Sequence, residues 1–180
     1  MKNETDNLIT RAEAYMNKKR FSDAGRCYEM VAAAVDDKRE TVEFLRKAAE
    51  AYDKWRDSDN TARCYREASQ FLEGMEKAEC LLDCWRVYIS AIAEYEWECC
   101  FEWRGDNSHD DDHDLYQSLI EQRQHEAENI LREALSIEGV NKRKIVKQAE
   151  KECTRMKRKD GWGASRCWNI IRNTRWGKGD

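Results

Sequence analysis

Apolar and small side chains return along this chain every three or four residues, the period of a helix rather than the two-residue alternation of a strand. Leu8, Ala12 and Tyr15 are followed by Ala24, Tyr28 and Val31, then by Leu45, Ala49 and Tyr52 and by Tyr65 and Ala68. The pattern predicts eight helices, over 6–18, 21–36, 39–56, 58–73, 76–103, 114–138, 141–159 and 163–174. They pair as four antiparallel hairpins, 6–36, 39–73, 76–138 and 141–174, in a single domain over 1–180. The punctuation agrees: Gly74, Gly105 and Gly139 suit left-handed helix ends, and Ser58 and Asp59 offer oxygens to the open amides of the fourth helix. The fifth segment is long enough to invite a bend, and the acidic stretch 104–114 reads as the one long polar loop.

The chain also repeats itself. Ala12-Glu13-Ala14-Tyr15 returns as Ala49-Glu50-Ala51-Tyr52, and Arg26-Cys27-Tyr28 as Arg63-Cys64-Tyr65, both 37 residues on and without a gap. Ala164-Ser165-Arg166-Cys167-Trp168 is a third copy of the second phrase. Small Ala12 and Ala24 let two helices approach, with Tyr15 and Tyr28 filling the grooves beside them, and Ala49, Tyr52 and Tyr65 repeat the arrangement. One hairpin cannot bury its own apolar face, so hairpins stack and share a core. The expected fold is therefore all-α, a right-handed solenoid of about four hairpins. A closed helical bundle is the alternative, formed if the later hairpins fold back on the first two.

The set Leu8, Ala12, Tyr15, Ala24, Tyr28, Val31, echoed by Leu45, Ala49, Tyr52, Thr61, Tyr65, Ala68, resembles the tetratricopeptide repeat (TPR). Within that superfamily the 37-residue spacing and the Arg-Cys-Tyr phrase look most like the SNAP-type adaptors, the soluble NSF attachment proteins. Ala12 and Ala49 stand where glycine is usual, Thr61 where alanine is usual, and no proline closes a repeat. The likeness covers 8–72 well, 114–174 loosely and 76–113 poorly. It implies a non-enzymatic adaptor or scaffold whose groove binds a peptide, a helix or a protein surface. By that analogy the first helix of each hairpin lines the groove, making Glu13, Met16, Arg46, Glu50 and Asp53 the partner-binding candidates.

Composition narrows the class further. The chain has no proline and only 8 glycines among 180 residues, which removes the usual punctuation of sheets, and 10% aromatic content is too high for a disordered acidic chain. No stretch approaches the roughly 20 apolar residues of a membrane span, and residues 1–7 lack a signal peptide's apolar core, so cytoplasmic residence is expected. With that expectation the eight cysteines (Cys27, Cys64, Cys80, Cys84, Cys99, Cys100, Cys153, Cys167) read as buried, reduced thiols on apolar helix faces.

Charge divides unevenly. Residues 142–178 hold thirteen Lys and Arg against Glu150, Glu152 and Asp160, a net of +10 in a chain whose total is −4. Arg143, Lys147, Lys151, Arg155 and Lys159 recur every four residues opposite Ile145, Ala149, Cys153 and Met156, which predicts a basic patch across from an apolar face. The bland reading is a solvated face. The alternative function is nucleic-acid or anionic-surface binding through 142–178, since a Gly-Trp-Gly turn before Arg166, Arg172 and Arg175 imitates a helix-turn-helix. The repeat phrase explains that second helix without it.

Candidate chemistry elsewhere is thin. His109 and His113, with Cys99 and Cys100 upstream, have a spacing zinc accepts, but adjacent helical cysteines point about 100° apart. As a calcium loop, 106–117 lacks the sixth-position glycine and has Gln117 where a closing glutamate belongs. No metal or cofactor is expected. Nor is an enzyme, since there is no phosphate loop, nucleophile elbow or His-Glu-x-x-His motif. His125 and the tryptophans Trp103, Trp162 and Trp176 read as exposed.

Overall fold

The computed structural model describes residues 2–102, 110–159 and 164–175, and among these every regular element is a helix. They are α1 (Lys2–Asn17), α2 (Phe21–Ala34), α3 (Lys38–Lys54), α4 (Ser58–Gln70), α5 (Gly74–Glu102), α6 (Asp110–Ser136), α7 (Lys142–Lys159) and α8 (Ala164–Arg175). Each expected segment is present within a few residues of its place. Among the described residues no helix is long and apolar enough to cross a membrane. The chain divides into two compact units, Met1–Cys84 and Trp85–Asp180, and α5 contributes to both.

In the first unit, α1 packs on α2, α2 on α3 and α3 on α4. Ala12, Ala24, Ala48, Ala49 and Ala68 are wholly buried where these helices approach, with Leu8, Val31 and Leu45 filling the space between. Both hairpins turn in the same way. Lys19 (φ 57°) and Arg56 (φ 60°), 37 residues apart, hold the left-handed conformation. After them the Arg20 amide donates to the Tyr15 carbonyl at 2.9 Å and the Asp57 amide to the Tyr52 carbonyl at 3.0 Å. The repeat in sequence is thus a repeat in backbone conformation, closing each first helix with a left-handed cap. The first turns of α5 complete the unit, where the Cys80 thiol donates to the Tyr65 carbonyl (3.2 Å) and the Cys84 thiol to the Ala62 carbonyl (3.4 Å).

Three of the signals read at helix ends act differently from expectation, each for a local reason. The cap of α4 is Asp57, which accepts the Asn60 amide at 3.0 Å, so Ser58 and Asp59 lie inside the first turn instead of capping it. Gly74 is left-handed (φ 51°) but opens α5, because α4 has already ended at Gln70; Gly139 (φ 74°) follows α6 as expected. The stretch 104–114 is not all loop: α6 begins at Asp110, since acidic residues favour the positive end of a helix dipole. Gly105 and the rest of 103–109 lie outside the described residues.

The second unit is built differently. Here α8 packs on both α6 and α7, and α6 also touches α7. The later half of α5 meets α6 where the Arg123 guanidinium lies 5.6 Å over the Tyr88 ring and where Tyr95 and Tyr116 sit 6.2 Å apart. Trp85, Ile92, Ile120, Ile130, Ile145 and Ile170 are wholly or almost wholly buried. The third copy of the repeat phrase packs its aromatic less deeply: Trp168 is 41% exposed, against 8% for Tyr28.

One cysteine expectation is overturned. Cys153 on α7 and Cys167 on α8 form a disulfide, because the hairpin brings their Cα atoms to 5.7 Å, within the span a bridge requires. Cys27, Cys64, Cys80 and Cys84 are buried thiols, as the apolar faces predict. The side chains of Cys99 and Cys100 lie outside the described residues.

Candidate interaction surfaces

The repeated phrases converge on one carboxylate. Glu29 on α2 accepts the Tyr52 hydroxyl at 2.6 Å and pairs with Arg63 at 2.5 Å, while the Cys64 thiol points at it from 3.8 Å. Gly25, one turn earlier, leaves room for the Tyr52 ring, whose Cζ would stand 2.8 Å from any Cβ there. Burial first, and then the Glu29 bond, hold the Tyr52 phenol above its ordinary value; burial also pushes the Cys64 thiol up to about 12. The cluster joins successive hairpins, since Glu29 on α2 is held by Tyr52 on α3 and by Arg63 and Cys64 on α4. Glu29 gave no signal in the repeat, because its counterpart 37 residues on is Arg66.

Of the five residues suggested by the tetratricopeptide resemblance, Glu13 on α1 and Glu50 and Asp53 on α3 are exposed. Met16 is half-buried and packs against the core of the first unit. Arg46 is half-buried; burial pushes the Cys80 thiol up to about 11, against the lowering effect of the Arg46 charge. The three acids flank two tyrosines of the second helices. Burial and then Glu13 raise the Tyr28 phenol. Burial, with Asp83, Glu50 and Asp53 adding to it, pushes Tyr65 up to about 12. Asp83 on α5 therefore belongs to the same negative field, a residue the repeat did not flag.

A second feature of this unit was not legible in sequence. An open cleft of about 420 Å³ lies between the start of α1, the end of α2 and the first half of α3. Ile9, Val35 and Phe44 line it, and its acids are Asp6, Asp36, Glu40 and Glu43. Those residues come from α1, α3 and the connection after α2, and among them Asp6 and Glu43 alone stand 37 residues apart.

In the second unit, Arg143, Lys147, Lys151 and Arg155 are exposed along α7, and Ile145, Ala149 and Cys153 are buried on its opposite side with Met156 half-buried. Arg155 bonds Glu152 at 2.8 Å. The side chain of Lys159 lies outside the described residues, as do those of Arg175, Trp103, Trp162, Trp176, His109 and His113. Arg166, one of the residues of the helix-turn-helix reading, is half-buried and spanned by Glu96 (2.5 Å) and Gln124 (3.3 Å), so it ties α8 to α5 and α6. His125 is exposed. Among the described residues no three His, Cys, Asp or Glu gather as metal ligands.

No family model, curated protein or solved structure matches the chain.

Proposed function

We propose that this chain is a non-catalytic, TPR-like adaptor, of SNAP-type character, in which α1 and α3 present an acidic, tyrosine-flanked face to a basic peptide or helix of a partner protein. The observation that carries the reading is the alignment of exposed Glu13, Glu50 and Asp53 with Tyr28 and Tyr65 on one unit. The acid-lined cleft beside Phe44 adds an apolar foothold for the same partner chemistry. A stacking of successive hairpins is supported by the packing of α1 on α2, α2 on α3 and α3 on α4 and by the matching turns at Lys19 and Arg56. The test uses three baits in lysate: the intact chain, Glu13→Lys/Glu50→Lys/Asp53→Lys, and Lys147→Glu/Lys151→Glu/Arg155→Glu. Protein partners should be held by the first and third and lost from the second. Equal retention by all three sets the acidic face aside.

A second reading is favoured by Arg143, Lys147 and Lys151, which have no partner among the described residues. It assigns nucleic-acid or anionic-surface binding to residues 142–178. Because such binding releases counterions, it would fall by orders of magnitude between about 50 and 200 mM salt. Nucleic acid held by the intact chain at low salt and lost from the Lys147→Glu/Lys151→Glu/Arg155→Glu form would establish this reading over the first.

A further inference from the structure

The repeat phrase places a buried cysteine at the same position in all three copies, Cys27, Cys64 and Cys167, but only Cys167 meets a second sulfur on the facing helix. We propose that the Cys153–Cys167 bridge is a redox-controlled clip fastening α8 to α7, so that thiol–disulfide exchange sets the order of the second unit while the first unit stays indifferent to redox conditions.

Three observations support it. The first is geometric. The two cysteines are fully buried and 14 residues apart, and α8 has only 12 residues, too short to persist as a helix without tertiary contacts. Its other anchors include the buried Ile170 and Ile171, the bonds from Arg166 to Glu96 and Gln124, and the bond from Asn173 to Glu128. Loss of the bridge returns to the open chain the loop entropy that a link of this length removes, roughly a hundredfold in the open population. The second is selectivity. Cys27, Cys64, Cys80 and Cys84, all the cysteines of residues 1–84, are buried free thiols with no S–S bond to exchange. The third concerns what the clip holds. Cys153 lies opposite the basic stripe of α7, so fixing it fixes the direction in which Arg143, Lys147 and Lys151 face.

The exchange needs a small-molecule thiol–disulfide couple of the glutathione class. Closing the clip, one thiolate of the pair attacks the oxidised couple, expelling one small-molecule thiol and leaving a mixed disulfide. The second cysteine then displaces the other small-molecule thiol as the Cys153–Cys167 bond forms. One external S–S bond is broken and one internal S–S bond made, two electrons pass to the couple, and the two protons of Cys153 and Cys167 end on its two thiols. Because both sulfurs are buried, exchange follows transient opening of α8 and is slow.

Hydrogen–deuterium exchange of the full chain, followed by mass spectrometry in reduced and in oxidised glutathione, tests the proposal. In oxidised glutathione a linked peptide should join Cys153 and Cys167. In reduced glutathione amides of 142–175 should exchange about a hundredfold faster, with amides of 1–84 unchanged. Cys153→Ser should behave in both buffers as the reduced chain does; should that variant not fold, the comparison on the unaltered chain decides alone. Absence of the linked peptide, equal exchange of 142–175 in the two buffers, or an equal change in 1–84 would each overturn the clip.

Discussion

A methyl group added at position 25 would sit 2.8 Å from Cζ of Tyr52. In an ordinary helix interior glycine to alanine gains about 1 kcal/mol. Here the ring must move, yet Tyr52 is 3% exposed and its hydroxyl is bonded to Glu29 at 2.6 Å, so overpacking, which costs about 1–3 kcal/mol, outweighs the gain. Gly25→Ala should therefore lower stability by about 1 kcal/mol, read by thermal melting. Tyr52→Phe frees the ring from Glu29, so the same change made in that background should cost less; strict additivity in the double-mutant cycle would refute the coupling. The surrounding protons predict an alkaline limit. Cys64, Cys80 and Tyr65 have folded values raised to about 12, 11 and 12 from ordinary values of 9.0, 9.0 and 10.0. The unfolded chain releases these protons first, so the stability they contribute is whole below pH 9 and drains away as pH rises from about 9 to 12. Melting temperatures at pH 8, 9.5 and 11, with tyrosinate absorbance recorded alongside, should fall in that order; a flat profile would show that these groups titrate alike folded and unfolded.

At the scale of elements, the helices owe their ends to short-range chemistry. Asp37 caps α3 by accepting the Arg39 and Glu40 amides at 2.8 and 3.0 Å, and Asp37→Ala should cost about 1 kcal/mol. Lys19 and Arg56 hold positive φ, a conformation that strains any residue with a Cβ. Lys19→Gly and Arg56→Gly should each raise stability by about 0.5–1 kcal/mol, the relief of strain exceeding glycine's extra freedom in the unfolded chain. Chemical denaturation of both variants checks this, and a loss at either position would mean that the side chain there holds more than the turn. The helices themselves were legible because their apolar period is strong and no proline interrupts it. The left-handed turns were not, since lysine and arginine are not the residues that announce them. The start of α6 was misplaced because a run of aspartates suits a loop and a helix N-terminus equally. The bridge between Cys153 and Cys167 could not be read from a separation of 14 until the α7–α8 hairpin fixed which faces meet. Of the acidic face, Glu13, Glu50 and Asp53 came from the repeat resemblance, whereas Asp83 lies on α5, outside the two repeat copies, and the cleft beside Phe44 forms only where α1, α3 and the connection after α2 meet.

For the whole molecule, the division at Cys84 and Trp85 means that a perturbation should report on the unit that contains it. The seven tryptophans make this measurable: only Trp55, already 59% exposed, belongs to residues 1–84, while six belong to 85–180, including the fully buried Trp85. Tryptophan fluorescence therefore follows the second unit, whereas helical circular dichroism follows both. The boundary falls within α5, whose residues 74–84 belong to the first unit and 85–102 to the second. Each half packs within its own unit: Cys80 and Cys84 bond α4, while Arg86 and Glu96 pair with Glu152 and Arg166 on α7 and α8. Urea unfolding should accordingly give non-coincident transitions by the two probes. Reductant should shift the fluorescence midpoint to lower urea, Gly25→Ala should shift the part of the dichroism change that fluorescence does not share, and the two effects should add. A single coincident transition moved equally by both treatments would instead mean that α5 binds the units into one cooperative fold, and that opening the clip at α8 is felt at the acidic face of α1 and α3.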